Sequence, residues 1–147
     1  MADFSIRPAT QADSDRIREL ICQTRLNPSS LNWQRFLVAI SAEGDFMGCG
    51  QVKPHGRDLR ELASLATRKR YRGQGVAGAL IQELLALHPH PLYLMCRSAL
   101  GPFYARFGFY PLELSAMPRY FQRASQVAGA LEVLKLLQES VLVMRVD

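Results

Sequence analysis

The chain has 147 residues, 48% of them hydrophobic and 21% charged. That balance gives one soluble domain, residues 1–147, long enough to bury about two-thirds of its unfolded surface, with no disorder signature. The start, Met1-Ala2-Asp3-Phe4, has no basic n-region or long apolar h-region, and no apolar run approaches the ~18 residues of a membrane span, so a cytoplasmic protein is expected.

Phe4-Ser5-Ile6-Arg7 reads as a short strand ending at Pro8, and Thr10 as the cap of a helix running through Arg16, Ile17, Leu20, Ile21 and Thr24. Asn27-Pro28-Ser29-Ser30 breaks that helix, and a short helical or irregular piece from Leu31 to Gln34 carries Trp33. Strands Phe36 to Ser41 and Phe46 to Lys53 follow, joined by the hairpin turn Glu43-Gly44-Asp45. A second turn, Pro54 to Asp58, leads into a strand from Leu59 to Thr67. A helix is predicted from Val76 to about Leu87, then a fully apolar strand, Leu92 to Cys96, suited to a sheet centre. Ala99 to Phe107 reads as a short helix broken by Gly108, with strand resuming at Phe109-Tyr110. Leu112 to Pro118 is loop-like. Gln122 to Leu137 is helical, with Val127, Leu131, Leu134 and Leu137 along one face, and Val141 to Val146 is the last strand. This is a mixed α/β order on one central sheet. Cys22, Cys49 and Cys96 are widely separated in apolar contexts and read as reduced core thiols. His88 and His90 alternate with prolines and have no nearby Cys, Asp or Glu, so no metal site is expected there.

The net charge of +5 fits nucleic acid, an anionic surface or an anionic cofactor. The basic residues Arg68, Lys69, Arg70 and Arg72 concentrate beside the turn Gly73-Gln74-Gly75-Val76-Ala77-Gly78. No aromatic-interleaved basic face suits a single-stranded nucleic acid, so a compact polyphosphate is the better match and no nucleic-acid partner is expected. A glycine-rich turn opening a helix presents unpaired N–H groups to one point, and the helix dipole adds roughly 0.3–1 kcal/mol per anion. A P-loop would need a Lys-Ser or Lys-Thr pair, which is lacking. Gly73-x-Gly75-x-x-Gly78 matches the dinucleotide fingerprint, but the following strand leads to Arg97 rather than to the acidic residue expected about 20 positions on, which leaves only an NADP version. Arg72-x-x-Gly75-x-Ala77 matches the pyrophosphate loop [QR]-x-x-G-x-[GA] of acetyl-CoA enzymes.

Element order and motifs together resemble the GNAT superfamily of acetyl-CoA-dependent N-acetyltransferases over nearly the whole chain. The resemblance is carried by Ser64-Leu65-Ala66-Thr67 with Tyr71 to Ala77, and by Phe103-Tyr104 with Phe107-Gly108-Phe109, similar to F-Y-x-x-x-G-F. It implies a mostly antiparallel sheet of six to seven strands flanked by helices, with the fourth and fifth strands splayed. It further implies acetyl-CoA as co-substrate, with backbone of Leu65, Ala66 and Thr67 on the pantetheine arm. The turn of Arg72, Gly73, Gln74, Gly75, Val76, Ala77 and Gly78 would hold the pyrophosphate. Arg68, Lys69, Arg70 and Arg106 are candidates for the 3′-phosphate. Lys69 and Arg70 stand where the family often has a proline and an acidic residue.

Transfer to an amine needs a neutral nucleophile, and a lysine-like amine of pKa about 10.4 is neutral in only about one molecule in a thousand at pH 7.4. A positioned base therefore helps. Glu61 stands where some members of the family carry a glutamate base; the alternative is an exposed carboxylate paired with Arg60 or Arg57. Tyr104 matches the tyrosine that protonates the leaving thiolate; the alternative is a core tyrosine between Phe103 and Phe107. A backbone N–H near Leu65 or Ala66 is the expected oxyanion donor. Cys96 reads as core, since no histidine is placed to activate it. The segment 112–138 reads as an insertion before the last strand, its Met117, Arg119, Tyr120 and Phe121 lining the acceptor site or its helix packing or dimerising. The function expected is N-acetylation of an amine (a protein terminus or lysine, an amino acid, a polyamine or an antibiotic) by a monomer or homodimer. The alternatives are a non-catalytic CoA-binding module and an NADP-binding fold, against which the Glu43-Gly44-Asp45 hairpin argues.

Overall fold

In the computed structural model, which describes residues 3–24, 26–134 and 139–147, the strands are β1 (Phe4–Pro8), β2 (Phe36–Ser41), β3 (Phe46–His55), β4 (Leu59–Thr67), β5 (Leu92–Arg97), β6 (Tyr110–Pro111) and β7 (Val141–Val146). They form a seven-stranded sheet in the order β1-β2-β3-β4-β5-β7-β6. The helices are α1 (Ser14–Gln23), α2 (Val76–Leu87), α3 (Gly101–Ala105) and α4 (Arg119–Val133), with single 3₁₀ turns between several elements. β1–β2, β2–β3, β5–β7 and β6–β7 are antiparallel, and β4–β5 is the parallel, splayed pair, registered at Glu61 opposite Tyr93. The mixed, mostly antiparallel α/β class expected from the sequence is the one found. An NADP-binding fold would start with a parallel sheet, and the antiparallel β1–β2–β3 meander contradicts it.

The chain groups into two compact units, Met1–Lys53 with Leu62–Pro89, and Pro54–Glu61 with His90–Asp147. In the first unit α1 places Ile17, Leu20 and Ile21 against Phe36, Val38, Phe46, Cys49 and Ala66, with Trp33 packed alongside. The start of α1 is set by Asp13, which accepts from the Thr10 backbone N–H (2.8 Å) and from Arg7 Nη1 (2.8 Å). At Glu43-Gly44-Asp45 the chain reverses with Gly44 at φ +91°, and the Gly44 and Asp45 amides donate to Ser41 O and Oγ. In the second unit Tyr93, Phe121 and Val143 form the core, with Leu59, Met95, Leu112 and Met117 packed on it.

Several boundaries differ from the sequence reading. β3 runs two residues further, through Pro54 and His55, because the reversal is made by Gly56 at φ +73°. The helix expected over 99–107 is shortened to α3, preceded by a 3₁₀ turn, and Phe109 is buried just ahead of β6. α4 begins at Arg119, after Pro118, three residues earlier than expected. Its one buried residue is Phe121. Val127 and Leu134, expected on a packed face, are 61% and 67% exposed. Leu137, on the same expected face, lies outside the described residues. Cys49 and Cys96 are buried as expected, but Cys22 is exposed, on the solvent side of α1. No helix among the described residues is long and apolar enough to cross a membrane.

Candidate functional site

The strand that leads to the glycine turn is distorted at Ser64, which sits at φ +55° in the middle of β4. A left-handed residue inside a strand breaks the alternation and re-aims the next residues, here Leu65, Ala66 and Thr67. The distortion is held from β3. Gln51, fully buried, donates through Nε2 to Ser64 Oγ (2.8 Å) and to Ser30 O (3.2 Å), while the Cys49 thiol donates to Ser64 O (3.6 Å). Ser30 and Ser64 are the two non-glycine positions with positive φ among the described residues, and one side chain ties both. Burial pushes the Cys49 thiol up to about 12, so it is a neutral donor at any physiological pH. β3 can lie this close because of Gly48, whose Cβ, if present, would stand 2.6 Å from Ala66 O.

Beyond Thr67 the Arg68 N–H donates to Met47 O (2.8 Å), and a 3₁₀ turn over Lys69–Tyr71 is anchored by Tyr71 Oη donating to Asp45 Oδ2 (3.0 Å). Arg72 Nε donates to Thr67 O (3.4 Å), folding its side chain back along the turn. Gly73 and Gly75 take φ +80° and +84°, and Gly75 caps α2. A Cβ built on either would meet nothing within 4 Å, so left-handed backbone, rather than local space, is what demands glycine. The caps leave the first N–H groups of α2 without side-chain partners, the arrangement that receives an anion. The ten cofactor residues expected from the sequence thus lie in two short runs of the first unit, 65–67 and 72–78, joined by the turn at 68–71.

The expected phosphate-binding cations divide. Arg68 lies over the Phe46 ring and Arg70 over the Tyr71 ring (5.2 and 4.9 Å). With Lys69 they border a groove of about 350 Å³ whose other wall is Glu19, Leu20 and Gln23 of α1. Arg106 belongs to the second unit and lies over Phe103 and Phe107.

In the second unit, Glu61 is 7% exposed, which corrects the alternative of an exposed carboxylate paired with Arg57 or Arg60. Its partner is His55, whose Nε2–H donates to Oε1 at 2.7 Å. The Gly56–Asp58 reversal brings these two residues opposite each other. The His55 ring is stacked on Tyr120 at 3.9 Å and meets Phe121 edge-on at 6.2 Å. Burial, then the Glu61 charge, raises the Tyr120 hydroxyl. Of the residues expected in the 112–138 segment, Phe121 is therefore core, stacked on Tyr93 at 5.3 Å, and Tyr120 joins the Glu61 cluster. His55 was missed at the sequence level, where it reads only as a turn residue.

Tyr104 is 9% exposed, between Phe103 and Phe109 (5.1 and 6.1 Å), so the sequence alternative named one neighbour correctly. Burial, then Cys96, raises its hydroxyl to about 12, which keeps it a proton donor across the neutral range. The Cys96 thiol is pushed up to about 11 by burial and touches Met144 Sδ (3.9 Å), the setting of an inert core thiol. Among the described residues no three His, Cys, Asp or Glu side chains gather to hold a metal ion.

The family model described as an acetyltransferase (GNAT) domain matches residues 32–111. No curated protein matches the chain. Among solved structures, N-acetylglutamate synthase from Neisseria gonorrhoeae, complexed with coenzyme A and L-arginine, aligns at TM-score 0.72 and 20% identity over 100% of this chain, which spans 34% of that one. Rv2747 from Mycobacterium tuberculosis, in complex with CoA and NLQ, aligns at TM-score 0.70 and 23% identity over 95% of this chain and 97% of its own. An acetyltransferase of the GNAT family from Staphylococcus aureus Mu50 aligns at 0.70 and 12%, over 98% of both chains.

Proposed function

The chain belongs to the GNAT acetyltransferase family, and from that premise we propose that it moves an acetyl group from acetyl-CoA directly to a primary amine. The observation that carries the reading is the continuous run from the distorted strand at Ser64 through Thr67 to the left-handed Gly73 and Gly75 at the head of α2. Strand backbone suits an extended amide-bearing arm, and a helix start opened by glycines suits a pyrophosphate. The residues present therefore fit CoA: Leu65, Ala66 and Thr67 would bind the pantetheine, and 72–78 the pyrophosphate. When bound, acetyl-CoA supplies an acetyl group activated as a thioester.

The protein's own groups have three tasks. A backbone N–H of Leu65 or Ala66 stabilises the negative charge that develops on oxygen, a contribution of several kcal/mol in comparable sites, roughly 2.7–4. Glu61, buried and hydrogen-bonded to His55, removes the proton from the acceptor amine. Tyr104, held neutral by burial, gives its proton to the departing sulfur and recovers one from solvent. The buried thiol of Cys96 takes no part, since transfer is direct.

The test is thiol release from acetyl-CoA by the purified protein against a panel of primary amines, with Tyr104→Phe in parallel. Amine-dependent release that the variant loses by about a hundredfold or more supports the reading. CoA binding with no amine-dependent release from any acceptor class would leave a binding module instead.

A further inference from the structure

The cluster around Glu61 has a neighbour that the acetyl-transfer reading leaves unused. A groove of about 550 Å³ runs along the start of α4, lined by Arg119, Tyr120, Arg123, Ala124 and Val127. That is within the range of roughly 300–1,000 Å³ typical of small-molecule sites. Resting on that reading, we propose that this groove is the acceptor subsite, and that Arg119 and Arg123 select an amine bearing a carboxylate several bonds from the reacting nitrogen. An ω-amino acid or an acidic amino acid reacting at its α-amine has that form.

Three observations converge. First, Arg119 and Arg123 are four residues apart and so share one face of α4. Like charges so placed repel, which an anion held by both relieves. Among the described residues neither pairs with a carboxylate, whereas Arg97 and Arg145 of the same unit pair with Glu139 and Asp147. Two guanidinium forks match a carboxylate better than a point cation would.

Second, Ala124, the half-exposed ring of Tyr120 and the largely exposed Val127 give the groove an apolar lining beside the two arginines. A methylene chain fits such a lining; a polyamine, with a cation at each end, would set its second charge against the arginines. Third, Tyr120 is shared. Its ring forms one wall of the groove and also stacks on His55, whose Nε2 reaches Glu61. The rings of Tyr120 and His55, stacked at 3.9 Å, and the 2.7 Å hydrogen bond from His55 thus stand between the groove and the proton acceptor. A carboxylate on the carbon next to the nitrogen is too near to reach both ends, and one several bonds away is not.

The experiment is calorimetric titration of the protein, first with CoA and then, saturated with CoA, with ligands paired by removal of one carboxylate. The pairs are 6-aminohexanoate with pentylamine, 4-aminobutanoate with propylamine, and L-glutamate with L-2-aminobutanoate. 3-Aminopropylphosphonate serves as the phosphonate of similar reach. The expected result is that at least one carboxylate ligand binds about tenfold or more tighter than its partner. That advantage should fall below about threefold in the Arg119→Gln, Arg123→Gln double variant, with CoA affinity unchanged. The proposal is overturned if no pair shows a carboxylate advantage, if nothing binds the CoA complex, or if the advantage survives the double variant. A phosphonate preferred over every carboxylate overturns the carboxylate assignment. Absence of CoA binding in the first titration would instead remove the acetyltransferase reading on which the proposal rests.

Discussion

Gly48→Ala probes the packing that shapes β4. The new Cβ would stand 2.6 Å from Ala66 O, 3.3 Å from Thr67 Cα and 3.3 Å from Val76 Cγ1. The first neighbour is backbone, so relief requires β4 or β3 to move by several tenths of an ångström. Overpacking of this kind costs about 1–3 kcal/mol. At ~2 kcal/mol a chain of this size loses roughly 4–8 °C in Tm. Ala66 and Thr67 are also in the stretch proposed to bind pantetheine, so CoA affinity should fall with stability. Gly50→Ala is the matched control. Its Cβ would meet the side-chain ends Leu65 Cδ1 and Leu84 Cδ1 at 3.1 and 3.2 Å, which can rotate aside, so the loss should be well under half as large. Thermal denaturation followed by circular dichroism, with a CoA titration of each variant, reads both effects. A Gly48→Ala protein melting within about 1 °C of wild type, or a Gly50→Ala protein that loses more, would refute the reasoning.

Glu61→Gln and His55→Gln should each lower kcat/KM by roughly 10²–10⁴, and the double variant should lose little more than the worse single one, because the two act as one hydrogen-bonded group; steady-state kinetics on a working amine measures this. With the Tyr104 hydroxyl raised to about 12, the acid stays protonated up to about pH 11, so kcat should show no alkaline fall near pH 10, the ordinary phenol value; a pH profile with such a fall that Tyr104→Phe abolishes would contradict the assignment. Burial works to raise the Asp13 carboxyl, but the Arg7 and Thr10 hydrogen bonds and the Arg7 charge outweigh it and hold its pKa below the ordinary value. The stability it contributes is therefore complete above the unfolded value of about 3.9 and is lost as pH falls through the folded one. Urea midpoints from pH 6 to 2 should consequently drop less steeply in Asp13→Asn than in wild type.

Local signals were legible wherever glycine, proline or apolar runs act alone. β4, α2 and β7 begin and end where their sequences predict, because Gly75 and the turns around them punctuate strong patterns. The glycine turn before α2 was legible for the same reason: left-handed glycines at a helix start leave a mark in sequence. What depends on registry across strands was not. Gln51, His55 and Ser64 look like ordinary polar residues, and only the β3–β4 reversal turns them into a buried tie on the distorted strand and a partner for Glu61. α4 misled in the opposite sense. Its apolar periodicity suggests a packed face, yet Phe121 supplies the buried contact while Val127 and Leu134 face solvent. Periodicity reports that a face is apolar, not that the chain covers it.

The central claim is that residues 65–67 and 72–78 hold CoA, and calorimetric titration with acetyl-CoA, CoA and NADPH tests it most directly, with Gly75→Glu as the control. Glutamate at φ +84° strains the turn by about 1–2 kcal/mol and sets a carboxylate where phosphate would sit. Wild-type protein is expected to bind acetyl-CoA and CoA and to ignore NADPH, and the variant, while still folded, to lose both CoA ligands. Wild-type protein that fails to bind CoA, or a folded variant that binds it as well as wild type, would contradict the claim.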